Sequence, residues 1–160
     1  MHPTLNDLPV GDRRKLIALL SGHVADAMDL YTQVKHAHWN VKGPSFIALH
    51  ELFDKIAGEV LEYVDEIAER AVALGGVVEG TARSVARNTR LSEYPMKAVA
   101  GPEHTKAVAK ALAAFGASAR AAIDAADKLG DKDTADLYTG ISREIDKLLW
   151  FVEAHLHARA

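Results

Sequence analysis

The chain of 160 residues reads as an all-α four-helix bundle with one long crossover between its second and third helices. Three observations predict this. Apolar residues recur every three to four positions through four long stretches, the period of a helix with one buried face. The first and last connections are short and marked by Gly or Pro, whereas residues 75–102 are too long for a simple helical hairpin. Nearly half the residues are apolar and about a quarter are charged, a mix that supports one packed core at this length.

The first helix is predicted over Asp12–Trp39, with Leu16, Leu20, Val24, Met28, Tyr31 and Val34 on its buried stripe. It stops at "NVKGP", because Asn40 and Gly43 tolerate unusual dihedrals and Pro44 pushes its predecessor out of the helical region. The second helix, Ser45–Leu74, turns Leu49, Phe53, Ile56, Val60, Val64, Ile67 and Ala71 inward, together with Ile47, Leu52 and Leu61. Gly58 costs it about 1 kcal/mol relative to Ala, and Gly75–Gly76 end it. In the crossover, Thr81–Asn88 form a short helix, and Pro95, Gly101 and Pro102 punctuate the rest. Such a length makes sense if the second and third helices run parallel, since the chain must then travel the full bundle. The third helix, Glu103–Leu129, is rich in alanine, with Val108, Leu112, Phe115 and Ile123 as its larger apolar residues. After Gly130 the fourth, Asp133–His157, carries Leu137, Tyr138, Ile141, Ile145, Leu148, Leu149 and Val152. One domain over 1–160 is expected, with a short non-basic extension over 1–10 and a short tail over 157–160.

The composition narrows the chemistry. Cysteine is absent, which removes disulfides, thiolate metal sites and cysteine nucleophiles. No stretch is long and apolar enough to suggest a membrane helix, and "MHPTLNDLP" has no secretory pattern, so a cytoplasmic protein is expected. A net charge of −3 argues against whole-surface attraction to nucleic acid. Any metal must be held by His, Asp and Glu, a donor set suited to iron, zinc or manganese.

Such donors cluster around the first corner. On the second helix His50 and Asp54, and then Asp65 and Glu69, form two pairs four residues apart, close enough on one face for each pair to share a ligand. The step from Asp54 to Asp65 turns the helix by only about 20°, so all four lie on one broad stripe. It also spans about 16 Å, far beyond the reach of one ion bound at about 2.0–2.2 Å. The two pairs can meet only if a second copy of the helix packs antiparallel across a two-fold axis. Acidic pairs on helices are common as solvated surface, and spacing alone leaves that role open. His38, where the first helix must pack on the second, adds a common metal ligand. His36 points about 200° away from His38 and is expected to face solvent.

Three segments, "AHWNVKGPSFIALHELFD", "VDEIAERAVALGG" and "DTADLYTGISREIDKLLWFVEAHL", closely resemble the Dps family of ferritin-like mini-ferritins. The likeness covers nearly the whole chain. It implies a hollow dodecamer built from two-fold dimers, with iron centres at each dimer interface, two per interface, and no organic cofactor. Carried over by position, His38, His50 and Asp54 come from one subunit, and Asp65 and Glu69 from its mate. Ferrous iron and hydrogen peroxide are the implied substrates and a stored ferric mineral the product, so the resemblance implies a ferroxidase that protects against oxidative damage. Trp39 resembles the family tryptophan that can intercept stray radicals, and an aromatic filling the interface is an equal reading. The resemblance puts Asp131, Asp133 and Asp136 near acidic three-fold pores. They also suit capping of the fourth helix and its dipole.

The chain departs from the best-known members, which bind DNA through a lysine-rich tail. No Lys or Arg precedes the first helix, and "HLHARA" offers Arg159 with His155 and His157. Arg83, Arg87 and Arg90 in the crossover are expected to be solvated or paired. DNA binding, and with it nucleoid association, is therefore expected to be weak, and a nucleoid protein with secondary iron chemistry is the alternative function.

Overall fold

The same apolar stripes organise the computed structural model, which describes residues 1–157. Its helices are α1 (Val10–Asn40), α2 (Phe46–Ala73), α3 (Ala82–Asn88), α4 (Gly101–Lys128) and α5 (Lys132–His157). Arg159 and the rest of the tail beyond His157 lie outside the described residues. No β-strand occurs among them; one isolated parallel bridge joins Lys42 to Ala100. The core is the meeting of four stripes, with Leu16, Leu20, Phe53, Ile67, Phe115 and Ile145 fully buried. Ile47 and Leu61 differ from expectation: they sit on the edge of the α2 stripe and are exposed on the single chain.

α4 starts at Gly101 rather than Glu103. Pro102 fits a first helical turn, where a missing N–H would have no partner anyway. Glu103 accepts the N–H groups of Val99 and Ala100 at 2.8 and 3.0 Å, and these bonds hold its carboxyl below the usual range.

α1 and α2 form an antiparallel hairpin, held near one end by Lys35–Asp54 and at the other by Arg13 donating to the Leu74 carbonyl. α4 begins beside the start of α2, where a Cβ on Gly101 would sit 2.9 Å from Leu49 Cδ1, so these two helices run parallel. The crossover therefore has to run the length of the bundle, and it does so along α1. Thr89 donates to Asp29, Arg90 to Asp26, Gln33 to the Ser92 carbonyl, and Lys42 N–H to the Val99 carbonyl. Asp26 is 1 % exposed and accepts from the Arg90 backbone N at 2.7 Å, Nε at 2.9 Å and Nη2 at 2.5 Å. Arg90 is thus paired, while Arg83 and Arg87 are exposed.

His23 adds a polar point to the α1–α4 contact. Its Nδ1 donates to the Leu19 carbonyl and its Nε2 accepts from Ser118 Oγ, each at 2.9 Å, with the ring tilted against Tyr138. Burial lowers its pKa, so the folded chain holds it neutral. The folded value lies below the unfolded one, near 6.5, so the unfolded chain takes up the proton first as pH falls. Stability is accordingly expected to be complete above about pH 6.5 and to decline through the window beneath it, by at most about 1.4 kcal/mol per pH unit per proton. Urea midpoints between about pH 7.5 and pH 5.5 should fall in the native protein and fall less steeply in His23→Gln. Equal slopes would assign the decline to other groups.

Candidate metal centre

The corner between α1 and α2 depends on Gly43, whose φ of 114° lies in the left-handed region that favours glycine. This turn places the last helical turn of α1 against the first of α2. His38 and His50 consequently stack, with ring centroids 3.8 Å apart and 21° between planes.

Their hydrogen bonds are reciprocal. His38 Nδ1 lies 2.8 Å from the His50 carbonyl, and His50 Nδ1 lies 2.9 Å from the His38 carbonyl. A carbonyl accepts only, so each Nδ1 carries a proton, and Nε2 is the atom each ring can offer to a metal. This is the outer support that metal-binding imidazoles generally require. Asp54 stands next to them, its Oδ1 3.8 Å from His38 Nε2. The three side chains and Ile47 line one open depression at the chain surface.

Lys35 completes the group. Its Nζ lies 2.6 Å from Asp54 Oδ1, and that bond, with the charge of the ammonium, holds the Asp54 carboxyl below its ordinary range. The same ammonium lies 5.7 Å from the centre of the Trp39 ring, which is 68 % exposed. Sequence reasoning missed Lys35, although a signal was there: it stands one helical turn before His38.

Asp65 and Glu69 are exposed farther along α2 and do not join this group. Among the described residues of one chain, no three His, Asp or Glu side chains converge to hold an ion. The single chain presents two nitrogen donors and one carboxylate, an incomplete but divalent-cation-compatible set.

The remaining candidates separate. Asp131 is buried, accepting from Arg70 Nη2 at 2.7 Å, from Thr134 N at 3.0 Å and from Thr134 Oγ1. Of the two roles weighed for it, the structure gives it the cap of α5. Asp133 and Asp136 are exposed on the first turns of that helix. His36 does not face solvent freely: it is half-buried, packed edge-on against Tyr94 with centroids 4.9 Å apart. His155 and His157 are exposed in the last turn of α5. Among the described residues no helix is long and apolar enough to cross a membrane.

Comparison with known proteins adds independent observations. Residues 17–159 match the family model for the ferritin-like domain. The chain is 40 % identical over 159 residues to a DNA protection during starvation protein of Agrobacterium fabrum, covering 99 % of this chain and 98 % of that one. DpsA14 from Streptomyces coelicolor superposes with a TM-score of 0.92 at 34 % identity, covering 97 % of this chain and 92 % of the other. Dps from Microbacterium arborescens, solved in a high iron form, gives 0.85 at 30 % identity, covering 97 % and 99 %.

Proposed function

The chain belongs to the Dps family of ferritin-like proteins, and from that premise we propose that it oxidises ferrous iron at centres shared by two subunits and stores the ferric product. The observation that carries this reading is the pair of reciprocal Nδ1–carbonyl bonds, which engages Nδ1 of both rings and leaves His38 Nε2 and His50 Nε2 as the atoms available to a metal beside Asp54. In this reading Asp65 and Glu69 of a two-fold mate complete the centre, giving two per dimer and a hollow dodecamer of such dimers. Exposed Trp39, Phe46 and Ile47 around the half-site supply apolar surface for that mate to cover.

Iron is substrate here, and hydrogen peroxide is the preferred oxidant. Two ferrous ions each give one electron, the O–O bond breaks, and two protons complete two waters, so no hydroxyl radical is released. The imidazoles hold the incoming ferrous ion, and the carboxylates, harder donors, favour the ferric product. Lys35 neutralises Asp54 until a cation takes its place. Trp39 stands ready to reduce stray radicals. Asp133 and Asp136 line the route of iron into a cytoplasmic shell. DNA binding is weak in this reading, because Arg90 is tied to Asp26 and the exposed cations Arg83, Arg87 and Lys97 of the crossover do not amount to a basic tail.

Ferrous iron added anaerobically to the assembled protein, followed by limiting peroxide or by oxygen, tests the reading. Peroxide is expected to oxidise about two ferrous ions each, faster than oxygen does, leaving soluble ferric mineral inside the shell. Oxidation no faster than in protein-free buffer, with ferric precipitate, would remove the function.

A further inference from the structure

Tyr94 sits in the crossover, outside the iron ligands, and its phenol meets a base. Its hydroxyl lies 2.6 Å from His104 Nδ1, and the two residues are 6 % and 0 % exposed. The buried hydroxyls of Tyr63 and Tyr138, in contrast, have no hydrogen-bond partner among the described residues. Burial raises the Tyr94 pKa, so the phenol is protonated at neutral pH. The protonated phenol donates its O–H to His104 Nδ1, which places the imidazole's own proton on Nε2. Burial, then the neighbouring His36, lowers the His104 pKa, which keeps the Nδ1 lone pair free to accept. Tyr94 also lines, with His36, Trp39 and Met96, one cavity open to the surface.

Resting on the ferroxidase reading, we propose that Tyr94 and His104 form a proton-coupled one-electron donor that reduces strong oxidants of the hydroxyl-radical class escaping iron oxidation, with exposed Trp39 as the first point of attack. The hydroxyl radical takes an electron from Trp39 and becomes hydroxide, which a buffer acid in the solvent protonates to water, leaving an indole radical cation. The indole radical then takes an electron from Tyr94 while the phenolic proton moves to His104 Nδ1. The products are a neutral tyrosyl radical and an imidazolium. Re-reduction by a cellular one-electron reductant, such as a thiol, returns the proton to the phenolate.

The physical reason for the pair is the cost of charge in a buried site. Removing one electron from a phenol makes it a strong acid, and a phenol radical cation trapped in an apolar setting is costly. A base already hydrogen-bonded takes the proton as the electron leaves, moving the charge from a strongly acidic radical cation to an imidazole that holds it far more readily. Tyr63 and Tyr138 are as well buried but have no such base, so the radical is expected to settle on Tyr94.

Two arms test this on the assembled protein. In the first, ferrous-loaded protein is mixed with excess peroxide, freeze-quenched and read by electron paramagnetic resonance, with iron oxidation followed in the same sample. In the second, iron-free protein is oxidised by photogenerated tris-bipyridyl ruthenium(III). A neutral tyrosyl radical is expected in both arms for the native protein and for Tyr138→Phe. It should be lost in Tyr94→Phe, which removes only a hydroxyl, and fall about tenfold or more in His104→Gln, with a solvent deuterium effect on its formation in the native protein. A full tyrosyl signal in assembled Tyr94→Phe, or in His104→Gln, would overturn the assignment. So would ferroxidation with no Tyr94-dependent radical in either arm. A Tyr94-dependent radical in the iron-free arm without any iron oxidation would sink the ferroxidase reading and leave the donor pair standing.

Discussion

Subunits lacking His38 and His50 and subunits lacking Asp65 and Glu69 are each expected to form inactive shells, and to regain activity when assembled together. Each parent assembly should lose the fast phase of ferrous oxidation by at least the roughly 10–100-fold that a single outer-sphere partner is worth to a metal site. In the proposed reading mixing changes the outcome, because the two halves of a centre then belong to different chains. In a heterodimer one centre combines both defects. The other combines the intact imidazoles of one chain with the intact carboxylates of its mate. Random pairing makes half the dimers mixed, and each has one good centre, so about a quarter of the native fast phase should return. Stopped-flow oxidation of shells carrying two different affinity tags measures this. Mixed shells with no recovery would refute a centre divided between subunits. Parents that keep the native fast phase would remove these four residues from the chemistry altogether. The single chain supplies the reason for expecting a division: His38, His50 and Asp54 are neighbours that do not by themselves close around an ion, whereas Asp65 lies about 16 Å farther along α2.

Arg90→Ala is expected to destabilise the fold by about 3 kcal/mol. Asp26 is 1 % exposed and takes three bonds from Arg90, of which only the backbone N–H would survive. The substitution leaves a carboxylate buried without its cation, and breaking a buried pair from one side costs about 3–5 kcal/mol. The lower end applies because the Arg90 side chain is 53 % exposed, so water already screens the pair. Adding Asp26→Asn to Arg90→Ala should recover part of the loss, since a neutral amide costs less to bury than an unpaired carboxylate. Denaturant unfolding at fixed protein concentration reads both, the concentration being held because assembly contributes to apparent stability. A loss under about 1 kcal/mol for Arg90→Ala would show that the crossover is held elsewhere. The substitution also loosens the segment that carries Tyr94, so the radical yield in this variant should fall with its stability.

The helices were legible in the sequence because their cause is local. Leu16, Leu20 and Val24 lie one turn apart, and that spacing alone requires a helix with one buried face. The parallel course of the second and third long helices was legible too, from the length of the crossover between them. The start of α4 was read two residues late, because Gly101 and Pro102 look like loop residues until Pro102 is placed in a first turn. Around the centre, the spacing of His50 and Asp54 and the place of His38 beside the corner were readable. The tautomers were not, because they depend on carbonyls twelve residues away that only the finished turn at Gly43 brings into reach. Lys35–Asp54, Asp26–Arg90 and Tyr94–His104 were hidden for the same reason.

By itself, then, the sequence determined the helical architecture, the need for a crossover, the exclusion of thiolate chemistry and the set of His, Asp and Glu donors from which a centre can be built. Each of these follows from residue type and from spacing along one chain. Tertiary structure decided which candidates keep a free donor atom. It turned Asp131 into the interior to cap α5, left Asp133 and Asp136 exposed, and moved His36 from its expected solvent face onto Tyr94. It also fixed the proton of each stacked imidazole on Nδ1. The physical reason is that a side chain's spare lone pair or proton depends on its partners, and those partners come from other turns and other helices.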